Sequence, residues 1–225
     1  MIININKIKL VSSILLVGLS ITSKAQSSPE NQGLSEPPQI DFEILIADEV
    51  LSIQNVFIRP IKTMNKFSVF NMLTYAQFYE NKGLVLIGST TLNYECIKNL
   101  NISGEISTNS IDGLRPTLGL NYTYIKKEML FIIAPRFDLI DNKNFEAFLM
   151  YEYKPNLSDK INLYTRIQSL YNHNIKHDLH DRSYINLRLG LSFYSTSIGL
   201  GTNLDSFGPQ KIKKESYGLF AKFLI

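Results

Sequence analysis

The chain's three histidines, His173, His177 and His180, all fall within one stretch, "YNHNIKHDLHD", with Asp178 and Asp181 beside them. The spacing H-x3-H-x2-H supplies enough imidazoles for a transition metal, and His177 and His180 would share one turn of a helix. A zinc hydrolase also needs a carboxylate base, and no Glu stands in the stretch to serve as one. The three histidines are therefore candidate metal ligands only, set against a polar loop in which they hold no metal. Hydrolysis by a Ser–His pair would need a serine from another loop, and Ser110 and Ser206 are the ones within plausible reach. Neither lies in a nucleophile motif. No catalytic residue, metal or cofactor is expected.

A second set of residues capable of chemistry is spread along the chain. Glu95, Glu105, Arg136, Asp138, Glu146, Glu152, Arg166, Arg188, Asp205 and Lys222 all stand opposite apolar neighbours in alternating segments. If one surface collects them in a restricted interior, unpaired charge is costly and paired charge is tolerated. The expected outcome is a network of ion pairs that fills the interior. The alternative is a narrow polar pore, in which Arg136, Arg166 and Arg188 would attract anions. Cys96 shares parity with Leu92 and Tyr94 and reads as a small hydrophobe facing away from these charges.

The elements that must position these groups repeat with a period of two. In "YINLRLGLSF" Ile185, Leu187, Leu189, Leu191 and Phe193 alternate with Asn186, Arg188, Gly190 and Ser192. In "NFEAFLMYEY" Phe145, Ala147, Leu149, Tyr151 and Tyr153 oppose Asn144, Glu146 and Glu152. Such alternation predicts strands with one apolar and one polar face. Strands are expected from near Leu51, Phe67, Leu84, Leu100, Pro116, Met129, Phe145, Ile161, Ser183, Ser197 and Ser216, with turn signals such as "ENKG" and "KPNLSD" between them. A short first strand, Phe42–Ile46, brings the count to an even twelve; merging two candidates would give ten. Pro135, inside "FIIAPRFDL", predicts a bulge or a strand start, because it has no N–H to give to a ladder.

The ends of the chain locate it. Lys7 and Lys9, the apolar run Leu10–Ile21 and the Ser23-Lys24-Ala25 site have the layout of a cleaved export signal over residues 1–25. Its loss removes three lysines from 23 basic residues and leaves 20 against 20 acidic ones, so no nucleic-acid partner is expected. Residues 26–39 read as a flexible periplasmic linker and 40–225 as one all-β domain. Alternation alone fits a soluble exported barrel that binds a small ligand as well as a membrane barrel. Strands of about ten residues and aromatics near the strand ends favour the membrane.

The final segment, "SYGLFAKFLI", ends the chain inside an apolar strand, which leaves an edge that soluble proteins avoid. With Tyr217, Gly218, Leu219, Ala221, Phe223 and Ile225, it resembles the C-terminal insertion signal of small bacterial outer-membrane β-barrels, although Ile225 stands where their terminal aromatic would be. The resemblance implies a single antiparallel up-and-down transmembrane barrel in the outer membrane of a Gram-negative bacterium. It also implies outer-membrane lipid and the barrel-insertion machinery as partners, and periplasmic termini. The 172–182 connection and the turn at 205–215 would then lie outside the cell. The expected function is structural and non-enzymatic, with a salt-bridged lumen. A narrow channel for small polar solutes and a docking role through residues 26–48 are the alternatives.

Overall fold

The computed structural model describes residues 40–80, 83–109, 113–140 and 143–225. The expected export signal, the linker and Ser110 lie outside them. The described residues form thirteen antiparallel strands and no helix. In chain order these are β1 (Ile40–Ala47), β2 (Val50–Pro60), β3 (Phe67–Phe78), β4 (Leu84–Ile97) and β5 (Leu100–Asn109). There follow β6 (Gly113–Lys126), β7 (Met129–Asp138), β8 (Asn144–Tyr153) and the three-residue β9 (Asn156–Ser158). The last four are β10 (Ile161–Asn174), β11 (Leu179–Phe193), β12 (Thr196–Phe207) and β13 (Ile212–Leu224).

Each long strand pairs with its neighbours in sequence, and β8 pairs directly with β10. β9 only flanks the start of β10. The ring closes where β13 meets β1, from Ala47 opposite Gly218 to Asp41 opposite Leu224. Ile40 and Ile225 exchange backbone hydrogen bonds of 2.8 and 3.1 Å at its end. Twelve staves thus make a closed up-and-down barrel, the even count that short first strand predicted. Closure leaves no sheet edge, so every stave donates and accepts on both sides.

The outer parity is apolar and exposed. Ile102, Leu118, Leu187, Leu200 and Leu219 are each 38–65% exposed, and similar residues continue around the ring. Aromatics gather at both ends of this band. At the rim that carries the ends of β1 and β13, here called the terminal rim, Phe67 packs on Tyr94, and Tyr122, Phe131, Tyr151 and Tyr153 form a chain of ring contacts. At the opposite, distal rim Phe137 packs on Phe145 with ring centroids 5.1 Å apart. An apolar belt with aromatics toward both rims is the exterior of a barrel solvated by lipid.

At four glycines the neighbouring strand lies too close for a side chain. A Cβ on Gly119 of β6 would lie 2.2 Å from the Pro135 carbonyl oxygen, and one on Gly218 of β13 would lie 2.1 Å from that of Ile46. Gly190 of β11 and Gly199 of β12 are as tight, with the Ile198 and Leu189 carbonyl oxygens at 2.1 and 2.2 Å. Side chains also meet across the bore: Phe70 of β3 packs on Phe148 of β8, with centroids 6.1 Å apart. Pro135 makes neither a bulge nor a strand start. It sits inside β7 opposite Ala147 of β8, while the ladder to β6 lapses between Gly119–Arg136 and Tyr122–Ile133 without a change of register. The lapse takes in Leu120, the rung at which Pro135 would pair and has no N–H to give.

Candidate functional site

The inward parity builds the bore, and side chains fill it. Nearest the terminal rim, three carboxylates meet three buried cations. Glu43 of β1 accepts from Arg166 at 2.6 Å and from Arg188 at 2.9 Å, bridging β1 to β10 and β11. Arg188 also donates to the backbone carbonyl oxygens of Leu187 and Thr202 and to Asn203 Oδ1. Lys222 of β13 is fully buried and binds Glu152 at 2.8 Å and Asp41 at 2.7 Å. The Tyr164 hydroxyl donates to Glu152 at 2.8 Å, and Lys154 reaches the same carboxylate from the rim at 2.7 Å. Every charge here has a partner of opposite sign, which is what permits burial at all.

The middle of the bore is apolar on the side of β2, β3, β7 and β8. Val56, Phe70 and Met72 from β2 and β3 pack against Ile132, Ala134, Phe148 and Met150 from β7 and β8. A second cluster joins Leu45, Ala47, Val50, Tyr164 and Phe220. Gln168 of β10 donates to Met72 Sδ of β3 at 3.6 Å, another contact across the bore. The lumen expected from alternation was polar and salt-bridged; this apolar cluster lies beside its ion pairs. In β7 and β8 the inward positions Ile132, Ala134, Phe148 and Met150 are apolar like their outward neighbours, so alternation fades there.

Toward the distal rim a second network forms. Arg115 of β6 makes a two-pronged pair with Asp138 of β7, both contacts 3.0 Å, and lies 3.8 Å from Glu146. Arg136 of β7 binds both Glu105 of β5 and Glu146 of β8. Reaching Glu105 requires passing β6, and it passes at Gly119, where a Cβ would strike Arg136 Cβ at 2.7 Å. Thr91 donates to Glu105 at 2.7 Å and Asn172 to Glu146 at 3.0 Å.

Beside this network, β4, β5 and β6 form a wall with no apolar inward side chain along four rungs. The ladder aligns Glu95 with Asn101 and Asn121, Asn93 with Ser103 and Gly119, Thr91 with Glu105 and Thr117, and Ser89 with Ser107 and Arg115. Glu95 ends the wall at the terminal rim, where it accepts the Asn99 backbone N–H at 2.9 Å. Between this wall and the apolar cluster lies a void of about 10 Å³, touched by Thr91, Ser103, Asn121 and Phe148 and by the Glu105–Arg136 pair.

Of the residues named from alternation, Glu105, Arg136 and Glu146 come together in one network and Asp138 joins it through Arg115. Arg166, Arg188, Glu152 and Lys222 belong to the terminal network. Asp205 pairs with Arg182 at 2.7 Å nearer the distal rim. Alternation also marks residues beyond those named. Asp41 and Glu43 share one parity of "IDFEILIA" against Phe42, Ile44 and Ile46, and Arg115 shares the parity of Thr117. Cys96 is exposed, on the terminal turn side of β4.

The histidine stretch is mostly strand rather than an eleven-residue loop. His173 lies in β10 and His180 in β11, and only residues 175–178 turn. A register shift between Asn172 and His173 brings His180 opposite His173. His180 Nδ1 lies 2.7 Å from the Gly208 carbonyl oxygen and its Nε2 lies 3.1 Å from Ser183 Oγ, so both ring nitrogens tie down strand and turn. His173 meets Asp178 at 3.1 Å. Among the described residues no group of three or more His, Cys, Asp or Glu is arranged to hold a metal ion. The serine beside His180 is Ser183, not Ser206, which pairs with Ser183 and Lys213 in the ladders. His177, His180, Asn144, Asn174 and Arg115 border a cleft of about 170 Å³ at the distal rim.

No protein-family model and no curated protein matches this chain. Among solved structures, the NanC porin is similar at 9% identity and a TM-score of 0.49, over 84% of this chain and all of the other. The KdgM porin is similar at 11% identity and a TM-score of 0.45, over 82% of this chain and 98% of the other. An outer membrane channel from Pseudomonas putida F1 is similar at 10% identity and a TM-score of 0.45, over 89% and 100%. The character of this barrel is carried by its own residues. An even number of antiparallel staves, a lipid-facing exterior and aromatics toward both rims make it an outer-membrane β-barrel.

Proposed function

We propose that this chain is a non-enzymatic outer-membrane barrel whose bore is closed at rest by its own side chains. It serves as a stable membrane-embedded body rather than as an open diffusion pore. The observation that carries this reading is contact across the bore: Phe70 against Phe148, Gln168 against Met72, and Glu43 held by Arg166 and Arg188. A diffusion pore needs a continuous aqueous cross-section, and the apolar contacts and ion pairs that meet across this bore interrupt one. The exposed apolar belt speaks against a soluble ligand-binding barrel, because a soluble protein would present that surface to water.

Planar-bilayer recording of the refolded mature chain tests the reading. It should insert without discrete openings in molar salt. Steady, large conductance steps from the wild type would refute it. The insertion machinery is proposed to recognise the outward residues Tyr217, Leu219, Ala221, Phe223 and Ile225 of the closing strand. Tyr217→Ser with Phe223→Ser should lower the fraction found in the outer membrane, and an unchanged fraction would remove that assignment.

A further inference from the structure

The two rims differ in charge. The turns of the terminal rim from β2 to β10, at 61–66, 98–99, 127–128 and 154–160, are rich in lysine. Lys62, Lys66, Lys98, Lys127 and Lys160 lie in them and Lys126 ends β6, all exposed, against the acids Glu128 and Asp159. Lys154, in the same turns, reaches inward to Glu152. None of the six exposed lysines makes an ion pair among the described residues. The described distal turns mix signs instead: Asp48, Glu49, Glu80 and Asp178 stand with Lys143, Lys176 and Lys211. At the start of β13, Lys213 and Lys214 are followed by Glu215.

Position is as informative as sign. Tyr94 and Tyr124 lie on the outer parity of β4 and β6, and Lys66 and Lys126 stand over their rings at 5.9 and 5.4 Å. A lysine laid on an outward aromatic keeps its stem against the apolar belt and lifts its ammonium to headgroup level. Apolar side chains sit among the lysines: Met64 between Lys62 and Lys66, Ile97 beside Lys98 and Leu157 near Lys160, each 52–65% exposed. Ile97 pairs with Leu100 on the outer parity, so it points away from the bore. Each turn is also tied to the next strand around the ring. Lys66 accepts the Glu95 N–H at 2.8 Å, Asn99 that of Thr123 at 2.9 Å, and Glu128 that of Lys154 at 2.7 Å.

We propose that this lysine-bearing arc of the terminal rim, from β2 to β10, binds the headgroups of anionic phospholipids in the leaflet around it. Ammonium groups above an apolar shoulder match a lipid that carries net negative charge above its chains. A zwitterionic lipid gains less, because its own ammonium already neutralises its phosphate. The proposal rests on the membrane barrel and is indifferent to whether the bore is closed. One other occupant has the right charge: residues 26–39, with Glu30 and Glu36 and no basic residue, precede β1 in the sequence.

The test uses the refolded mature chain in phosphatidylcholine bilayers, with heat-modifiable migration as the check that each variant has folded. A trace of spin-labelled phosphatidylglycerol or phosphatidylcholine is added, and electron paramagnetic resonance reads the fraction of each label immobilised against the barrel. The wild type should favour the anionic label by about threefold at low salt, since one lysine near an anionic headgroup gives about fivefold and only part of the ring carries lysines. Molar salt should bring the preference close to unity. Lys66→Gln with Lys98→Gln, Lys126→Gln and Lys127→Gln should abolish it, while Lys143→Gln with Lys176→Gln and Lys211→Gln should leave it intact. Equal immobilisation of the two labels by the wild type would overturn the proposal. So would a preference that survives the terminal substitutions or disappears with the distal ones. A preference seen only after Glu30→Gln with Glu36→Gln would overturn it in favour of the chain's own segment. A chain that immobilises neither label would instead defeat the membrane reading, so the failures are distinguishable.

Discussion

At the scale of single residues, the barrel shows how charge can be buried beneath a membrane-facing wall. Glu43 is 3% exposed and joins two guanidiniums from strands reached only at the far end of the chain. Glu43→Gln keeps the shape and removes the charge, leaving Arg166 and Arg188 without their counter-ion. The expected loss is about 3–5 kcal/mol, the cost of breaking a buried pair from one side. Urea unfolding of the barrel in vesicles measures it; a midpoint equal to the wild type would show that these charges are hydrated. The histidines yield a contrasting expectation. His180 spends both ring nitrogens on Gly208 and Ser183, and His173 is turned to Asp178. Calorimetric titration of the refolded barrel with zinc should give a flat trace, and a saturable heat would mean that the rim rearranges to bind metal.

At the scale of elements, close strand approaches decide where a side chain fits. Gly119→Val would push a branched side chain into the Pro135 carbonyl and the Arg136 backbone. The variant should lose the compact, heat-modifiable band on unboiled gels; a normal band would mean the β6–β7 approach has room that the distances deny. The strands themselves were legible from period-two alternation, and so was the short first stave from the parity of "DFEILI". The close approaches at Gly119, Gly190, Gly199 and Gly218 were not, because such a glycine and one in a flexible turn look alike in sequence. The apolar cluster escaped for a related reason: in β7 and β8 both faces carry apolar side chains, and alternation reports only differences. The histidine stretch reads as a loop because Asn, Asp and His signal turns, whereas pairing of β10 with β11 extends the ladder into it.

For the whole molecule, polarity is inverted at the surface and mixed inside. An apolar belt faces outward, while ion pairs and apolar contacts meet across the bore. Removing the apolar contacts should therefore matter more than trimming either end. Phe148→Ala with Met150→Ala should produce ion conductance where the wild type has none, while lowering stability by roughly 5 kcal/mol or more. A silent double variant would mean that the ion pairs alone seal the barrel.

The most direct test of the account is spin-label accessibility at neighbouring positions of β5 and β6 in lipid, on a Cys96→Ser background. Labels at Ile102 and Leu118 point outward and should collide readily with oxygen and scarcely with a water-soluble nickel chelate. Labels at Ser103 and Thr117 point into the filled bore and should meet little of either. High chelate collision at Ser103 and Thr117 would contradict the closed bore, and high chelate collision at Ile102 and Leu118 would contradict the membrane-spanning barrel.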